Sequence, residues 1–125
     1  RVSLSDDPTK EVSTGIEILK SLGLRKTGAI LVACPSCGRA DVDIRKLANQ
    51  IDEIIRDRKS NIKVAVMGCE VNGPGEAKDA DVGIAAGVGR AVIFRKGKKT
   101  KIVEESEMLP MLMQEIALAE KEMVN

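Results

Sequence analysis

A chain of 125 residues is one domain's worth of polypeptide, long enough to bury a core without disulfide staples. Its formal net charge of +1 and 31% charged residues give no general electrostatic reason to expect a nucleic acid or a membrane surface as partner. With no His, Trp or Tyr and a single Phe, it lacks the aromatic platforms of base-stacking nucleic-acid modules and the imidazole of Ser-His-Asp, Cys-His or histidine–metal sites. No apolar run approaches the ~20 residues that span a bilayer. No secretory leader is evident, and a chain that opens on Arg1 rather than Met reads as a processed product or an excised piece. Three cysteines cannot all pair within the chain, and its non-secretory look argues for a reducing compartment.

In chain order, Arg1-Val2-Ser3-Leu4 reads as the end of a short strand. Asp7-Pro8 then opens a helix, a side-chain cap followed by proline at the first helical position. Val12, Ile16, Leu19 and Leu22 share one face of it, and Gly23 ends it. A strand is expected from Ala29 to Ala33, followed by the turn Cys34-Pro35-Ser36-Cys37-Gly38-Arg39. Asp41 or Asp43 caps a second helix that buries Ile44, Leu47, Ile51 and either Ile54 or Ile55. Asp52, Glu53, Arg56, Asp57, Arg58 and Lys59 read as a solvated face.

The β-branched run from Ile62 to Met67 is a strand that leads into Gly68-Cys69-Glu70-Val71-Asn72-Gly73-Pro74-Gly75-Glu76, a turn held open by Gly73, Pro74 and Gly75. A further strand runs from Asp81 to Ala86. Ala91 to Arg95 and Thr100 to Glu104 form a hairpin around the turn Lys96-Gly97-Lys98-Lys99. Ser106 caps a final helix with Leu109, Leu112, Ile116, Ala119 and Met123 in one stripe, and Pro110 is tolerated in its first turn. This order predicts an α/β fold: a three-layer-like mixed sheet, parallel strands plus a C-terminal hairpin, with helices packed on it. Both thiol-bearing loops then fall at the carboxyl ends of strands, where open α/β sheets place their sites.

The pattern points to one metal centre, and its chemistry admits several readings. A Cys-x-x-Cys pair could be half of a zinc ribbon, but structural zinc wants four closed ligands, and this chain offers one further Cys and no His. A thioredoxin-like dithiol would leave Cys69 without a role. An iron–sulfur cubane held by three thiolates keeps one iron for another ligand, as a catalytic cluster requires. The thiols could also be small buried hydrophobes. Spacing alone leaves these open.

Ala33-Cys34-Pro35-Ser36-Cys37-Gly38-Arg39 followed by Gly68-Cys69-Glu70-Val71-Asn72-Gly73-Pro74-Gly75-Glu76 closely resembles the C-terminal part of 4-hydroxy-3-methylbut-2-en-1-yl diphosphate synthase, the iron–sulfur reductase of the methylerythritol phosphate route to isoprenoids. The likeness extends from Arg1-Val2-Ser3-Leu4 to the closing helix. It implies a [4Fe–4S] cluster ligated by Cys34, Cys37, Cys69 and Glu76, with the carboxylate of Glu76 the harder, more exchangeable and catalytic ligand. It implies a cyclic diphosphate substrate, 2-C-methyl-D-erythritol 2,4-cyclodiphosphate, with Asn72 near it and Arg1 and Ser3 at the diphosphate end. Ferredoxin or flavodoxin is the implied electron donor, and Lys96, Lys98, Lys99 and Lys101 are either a soluble hairpin tip or an attraction for such an acidic carrier.

The resemblance further assigns residues 1–25 to the last strand and helix of an N-terminal (β/α)8 barrel and residues 26–125 to the iron–sulfur domain. The barrel itself is missing, so the chain alone is expected to be inactive, with the barrel of its own chain and that of a second subunit in a homodimer as partners. Bacterial cytoplasm or plastid stroma is the implied location. The helix bearing Val12, Ile16, Leu19 and Leu22, deprived of its neighbours, is expected to pack on the cluster domain, swap or fray.

Overall fold

The computed structural model describes residues 1–34, 40, 42–69 and 73–125, the side chains of residues 74 and 76 excepted. Helix α1 (Pro8–Ser21) begins as its sequence dictates: Asp7 Oδ1 accepts from the Thr9 N–H at 2.8 Å, with Pro8 at the first helical position. It ends in a Schellman turn. Gly23, at φ +69°, donates to the Lys20 carbonyl, and Leu24 donates to that of Leu19, both at 2.9 Å. The helix is thus formed and capped at both ends, yet none of its residues is buried, and Val12 is 66% exposed.

Residues 1–4 form no strand, contrary to their pattern. Among the described residues no strand lies alongside to pair with them, and Leu4 N–H donates instead to Glu11 Oε1 at 3.0 Å. The Lys10 ammonium and the Asp7 N–H hold the Asp6 carboxyl below the usual aspartate range, and the hydroxyl and N–H of Thr9 do the same for Asp7. A carboxylate whose value falls on folding stabilises fully above its unfolded value and loses that contribution as pH falls through the folded one. The first turn of α1 is therefore expected to stay ordered down to the ordinary aspartate range and to fray below it, while the sheet persists. Residue-resolved carbon chemical shifts across an acid titration check this.

The sheet has five strands in sequence order: β1 (Ile30–Ala33), β2 (Lys63–Met67), β3 (Val82–Ala86), β4 (Arg90–Arg95) and β5 (Lys98–Glu104). β1, β2 and β3 are parallel neighbours, and β3, β4 and β5 pair antiparallel. The mixed α/β sheet expected from the element order is what forms. Helix α2 (Ile44–Ile55) and helix α4 (Met108–Val124) cover one face. There Ile44, Ile51 and Ile55 of α2 and Leu112 and Ile116 of α4 join the core of Val64, Val66, Ile84 and Ile93.

Asp43 caps α2, its Oδ1 accepting from the Lys46 N–H at 3.0 Å; Asp41 lies outside the described residues. Ile55, not Ile54, is the buried member of its pair. Arg56 pairs with Asp52 in solvent as expected, but Arg58 turns away from that face to join Ser60 on the Glu120 carboxylate of α4. The second face of the sheet carries smaller residues. Ala65, Met67, Ala85 and Phe94 pack there against Ala77 and Ala80, beneath the one-turn helix α3 (Gly73–Glu76). Gly83 leaves room for the fully buried Phe94 ring: a Cβ on it would lie 2.2 Å from Phe94 Cζ. Among the described residues no helix is long and apolar enough to cross a membrane.

The hairpin turn is shorter than its lysines suggest. Lys96 at φ 48° and Gly97 at φ 75° form a two-residue loop with both residues left-handed, and Lys98 and Lys99 already belong to β5. Ile93 then faces Lys101 while Phe94 faces Lys99, so Thr100 is the extra residue of a bulge, its hydroxyl donating to the Ile93 carbonyl at 3.0 Å. Lys101 lies on the α4 side, with Nζ 3.2 Å from Glu115 Oε1. Glu115 is 4% exposed, within the stripe of α4 that was expected to be apolar, and Arg95 Nε lies 3.8 Å from its other oxygen. Glu115→Ala removes the buried carboxylate that Lys101 and Arg95 share, while Arg95 keeps Glu122 at 2.6 Å. A loss of about 2 kcal/mol in urea unfolding is expected, less than for a fully buried pair because Lys101 is partly open to water.

Ser106 does not cap α4. It sits inside a 3-10 turn (Glu105–Glu107) that runs straight into the helix, and Met108 N–H is taken up by the Glu105 carbonyl instead of a side chain.

Candidate metal centre

The parallel register of β1 and β2 sets Ala33 beside Val66, so Cys34 and the pair Gly68-Cys69 emerge next to one another at the carboxyl end of the sheet. The ladder runs one residue past β1, with Cys34 N–H donating to the Val66 carbonyl at 3.1 Å. Gly68 N–H donates to Cys34 Sγ, also at 3.1 Å. Both Cys34 and Cys69 are free thiols and half-buried, and Cys34 packs against the cores of both faces.

From Cys69 the chain does not stay in the open turn that its glycines and proline suggested. The Cys69 carbonyl accepts from Gly73 N–H at 3.2 Å and the Gly73 carbonyl from Ala77 N–H at 3.0 Å, which winds residues 73–76 into α3. Pro74 fits because a residue in the first turn needs no N–H bond. Gly73 is what lets α3 lie flat on the sheet: a Cβ there would meet Met67 Cβ at 2.8 Å and Ala85 Cβ at 2.9 Å. The backbone of Glu76 is thereby held one helical turn from the Cys69 carbonyl.

The elements that follow β1 and β2 lie on opposite faces of the sheet. After β1 the chain passes to α2 on one face; after β2 it passes to α3 on the other. Diverging neighbours of this kind open a crevice at the strand ends, the usual ligand position of an open α/β sheet.

The structure therefore brings Cys34 and Cys69 together. Cys37 and Asn72 lie outside the described residues, and Glu76 is placed by its backbone only. Among the described residues no three of His, Cys, Asp and Glu converge as a metal site, two of the four expected donors falling outside the described atoms. Two free thiols on adjacent strand ends, one of them receiving a main-chain N–H, fit a thiolate-held centre. Arg1 and Ser3 bond to one another, Nε to Oγ at 3.2 Å; both are exposed, and no hydrogen bond among the described residues ties them to the thiol loops.

The Lys96-Gly97 turn closes the opposite end of the sheet, where Lys96 N–H donates to the carbonyl of Asp81 just before β3. The basic tip is thus about 16 Å from the thiol end, the span of a five-residue strand. Lys101 is not part of that tip.

Gly68 has a packing role as well. A Cβ there would lie 2.6 Å from Ile44 Cγ1 and 3.1 Å from Ala40 Cβ, so only glycine lets the start of α2 close over this loop. A glycine wedged between a buried strand and a cysteine was its one sequence signal.

Residues 30–118 match the family model described as the GcpE protein C-terminal domain. Curated relatives are similar along nearly the whole chain. A protein of Aquifex aeolicus named 4-hydroxy-3-methylbut-2-en-1-yl diphosphate synthase (flavodoxin) is 53% identical over 122 residues, 98% of this chain and 34% of its own length. Relatives of the same name in Dehalococcoides mccartyi and Bacillus cytotoxicus are 54% and 49% identical, covering 94% and 98% of this chain and 34% and 33% of their own. The chain spans about a third of the length of these relatives. Over that third, it belongs to the GcpE protein C-terminal domain family.

Proposed function

We propose that this chain is the [4Fe–4S] portion of a 4-hydroxy-3-methylbut-2-en-1-yl diphosphate synthase, with Cys34, Cys37, Cys69 and Glu76 as ligands. The observation that carries this reading is the placement of Cys34 and Cys69 on adjacent parallel strand ends, with the Gly68 N–H on the Cys34 sulfur. The bound cluster supplies single electrons and a Lewis-acidic iron. The three thiolates anchor it as soft ligands, and Glu76 gives the remaining iron a harder ligand that exchanges more readily. Ile44 closes on Gly68, and both pack beside Cys34 in the core.

The whole protein takes 2-C-methyl-D-erythritol 2,4-cyclodiphosphate, two electrons and two protons to the linear hydroxymethylbutenyl diphosphate and water, an isoprenoid precursor step. Asn72 contacts that substrate, and Arg1 and Ser3 its diphosphate. Residues 1–25 close a preceding barrel, and the barrel of a second subunit completes the site, so this chain alone turns nothing over. Flavodoxin is the donor, in line with the relatives' names, with ferredoxin the alternative. The setting is bacterial cytoplasm or plastid stroma.

Anaerobic reconstitution with iron and sulfide tests the metal reading. A brown chromophore with about four irons per chain is the expected result. A colourless protein that takes up about one zinc would make the chain a structural or interaction module instead. A reversible dithiol without metal would make it a redox domain.

A further inference from the structure

Hydrogen bonds between β1 and β2 follow the regular parallel ladder. Ile30 N–H donates to the Ile62 carbonyl at 2.9 Å and, four residues on, Cys34 N–H donates to the Val66 carbonyl at 3.1 Å. The next rung of that pattern would send Gly68 N–H to the Cys34 carbonyl. It goes to Cys34 Sγ instead, at 3.1 Å. The diversion is held from behind. Gly68 is buried, and the Ile44 side chain and Ala40 occupy the space where a Cβ would project, so the peptide cannot shift without displacing the start of α2. A main-chain donor fixed in this way acts on the charge of the sulfur and leaves the number of ligands unchanged.

We propose that the Gly68 N–H, through its bond to Cys34 Sγ, raises the reduction potential of the centre that Cys34 ligates; the proposal rests on the metal reading above. One-electron reduction adds a negative charge that the ligand sulfurs share. An N–H dipole aimed at one of them stabilises the electron-rich state more than the oxidised one. Gly68 is thus a positioning residue that acts through Cys34, and its side-chain-free backbone is needed for the burial as much as for the donor.

The Gly68-Cys69 junction offers a direct test, because a fragment ending at residue 68 can be ligated to one starting with the Cys69 thiol without adding any residue. Two chains are assembled: the unmodified one, with 15N at Gly68 alone, and one with glycolate in place of Gly68, which substitutes an ester oxygen for the N–H and adds no Cβ. Both are loaded with iron and sulfide under anaerobic conditions and titrated by redox potentiometry. The glycolate chain should hold the same iron and sulfide at a midpoint shifted to more negative potential. Equal midpoints in two equally loaded chains would overturn the proposal.

Should the glycolate chain fail to load, the unmodified chain still decides. In its reduced, paramagnetic form a hyperfine coupling to the single 15N is expected, and its absence would overturn the proposal. If the unmodified chain itself takes up no iron, the metal reading is what fails, and the proposal falls with it.

Discussion

Cys69→Ala is expected to abolish assembly of the cluster, while Glu76→Ala should leave one that assembles and is then lost faster. Cys69 lies two residues past the end of β2, behind the buried Gly68, and its carbonyl anchors the first bond of α3, so its position is set from both sides. Its removal leaves at most two thiolates, too few to retain a cubane normally held by four. Glu76 comes at the end of a single turn, and a water can take the place of its carboxylate on a hard iron site. Faster loss by at least the ~10-fold that removal of an outer-shell partner costs is expected. Iron and acid-labile sulfide after anaerobic loading, followed by decay of the visible absorption in air, measure both. Metal binding also adds folding free energy, so the loaded parent chain should melt higher than its apo form, and Cys69→Ala should show no such difference. Equal tolerance of the two substitutions would remove these residues from the metal site.

Gly83→Ala should cost about 3 kcal/mol, at the upper end of what overpacking a core costs. The added methyl would sit 2.2 Å from Phe94 Cζ and 2.4 Å from Cε2, with Ala65 Cβ at 3.1 Å beside it. The ring has no exposed side toward which to swing, since Phe94 is 0% exposed, and both residues lie on paired strands, β3 and β4. In a Phe94→Leu background the same change should cost at least about 1 kcal/mol less, the coupling expected of side chains in direct contact. Urea unfolding followed by far-ultraviolet circular dichroism is the measurement, because the chain has no Trp. Additive losses would mean that the clash is relieved elsewhere.

What could be read in the sequence was what is decided locally or by simple periodicity. Asp7-Pro8 and Asp43 start helices through bonds within one turn, and Gly23 ends one by taking a left-handed conformation. The strands carrying Cys34 and Cys69 could be placed as neighbours because parallel strands joined by a helix usually lie side by side. What could not be read depends on partners distant in the chain. Arg1 to Leu4 has strand-like residues but, among the described residues, no strand to pair with. Ser106 is a good cap by type, yet the preceding chain enters α4 through a 3-10 turn that leaves it no such role. Glu115 looks out of place in an apolar stripe until the bulge at Thr100 brings Lys101 beneath it. The Gly68 bond to sulfur needs the register of two strands to be known first.

The departure of α2 and α3 to opposite faces has a consequence for the chirality of the fold. β1, β2 and β3 are parallel and advance across the sheet in one direction. A connection over the front and the next over the back must then be of opposite hand, so one of them takes the left-handed sense that only about one parallel crossover in fifty adopts. The physical origin of that rule, a right-twisted strand feeding a helix that must pack back on the sheet, constrains the twelve-residue α2 and hardly applies to a single helical turn. The exception therefore belongs to the crossing through α3. Gly73 makes it possible: with no Cβ to meet Met67 and Ala85, the short connection lies close against the sheet.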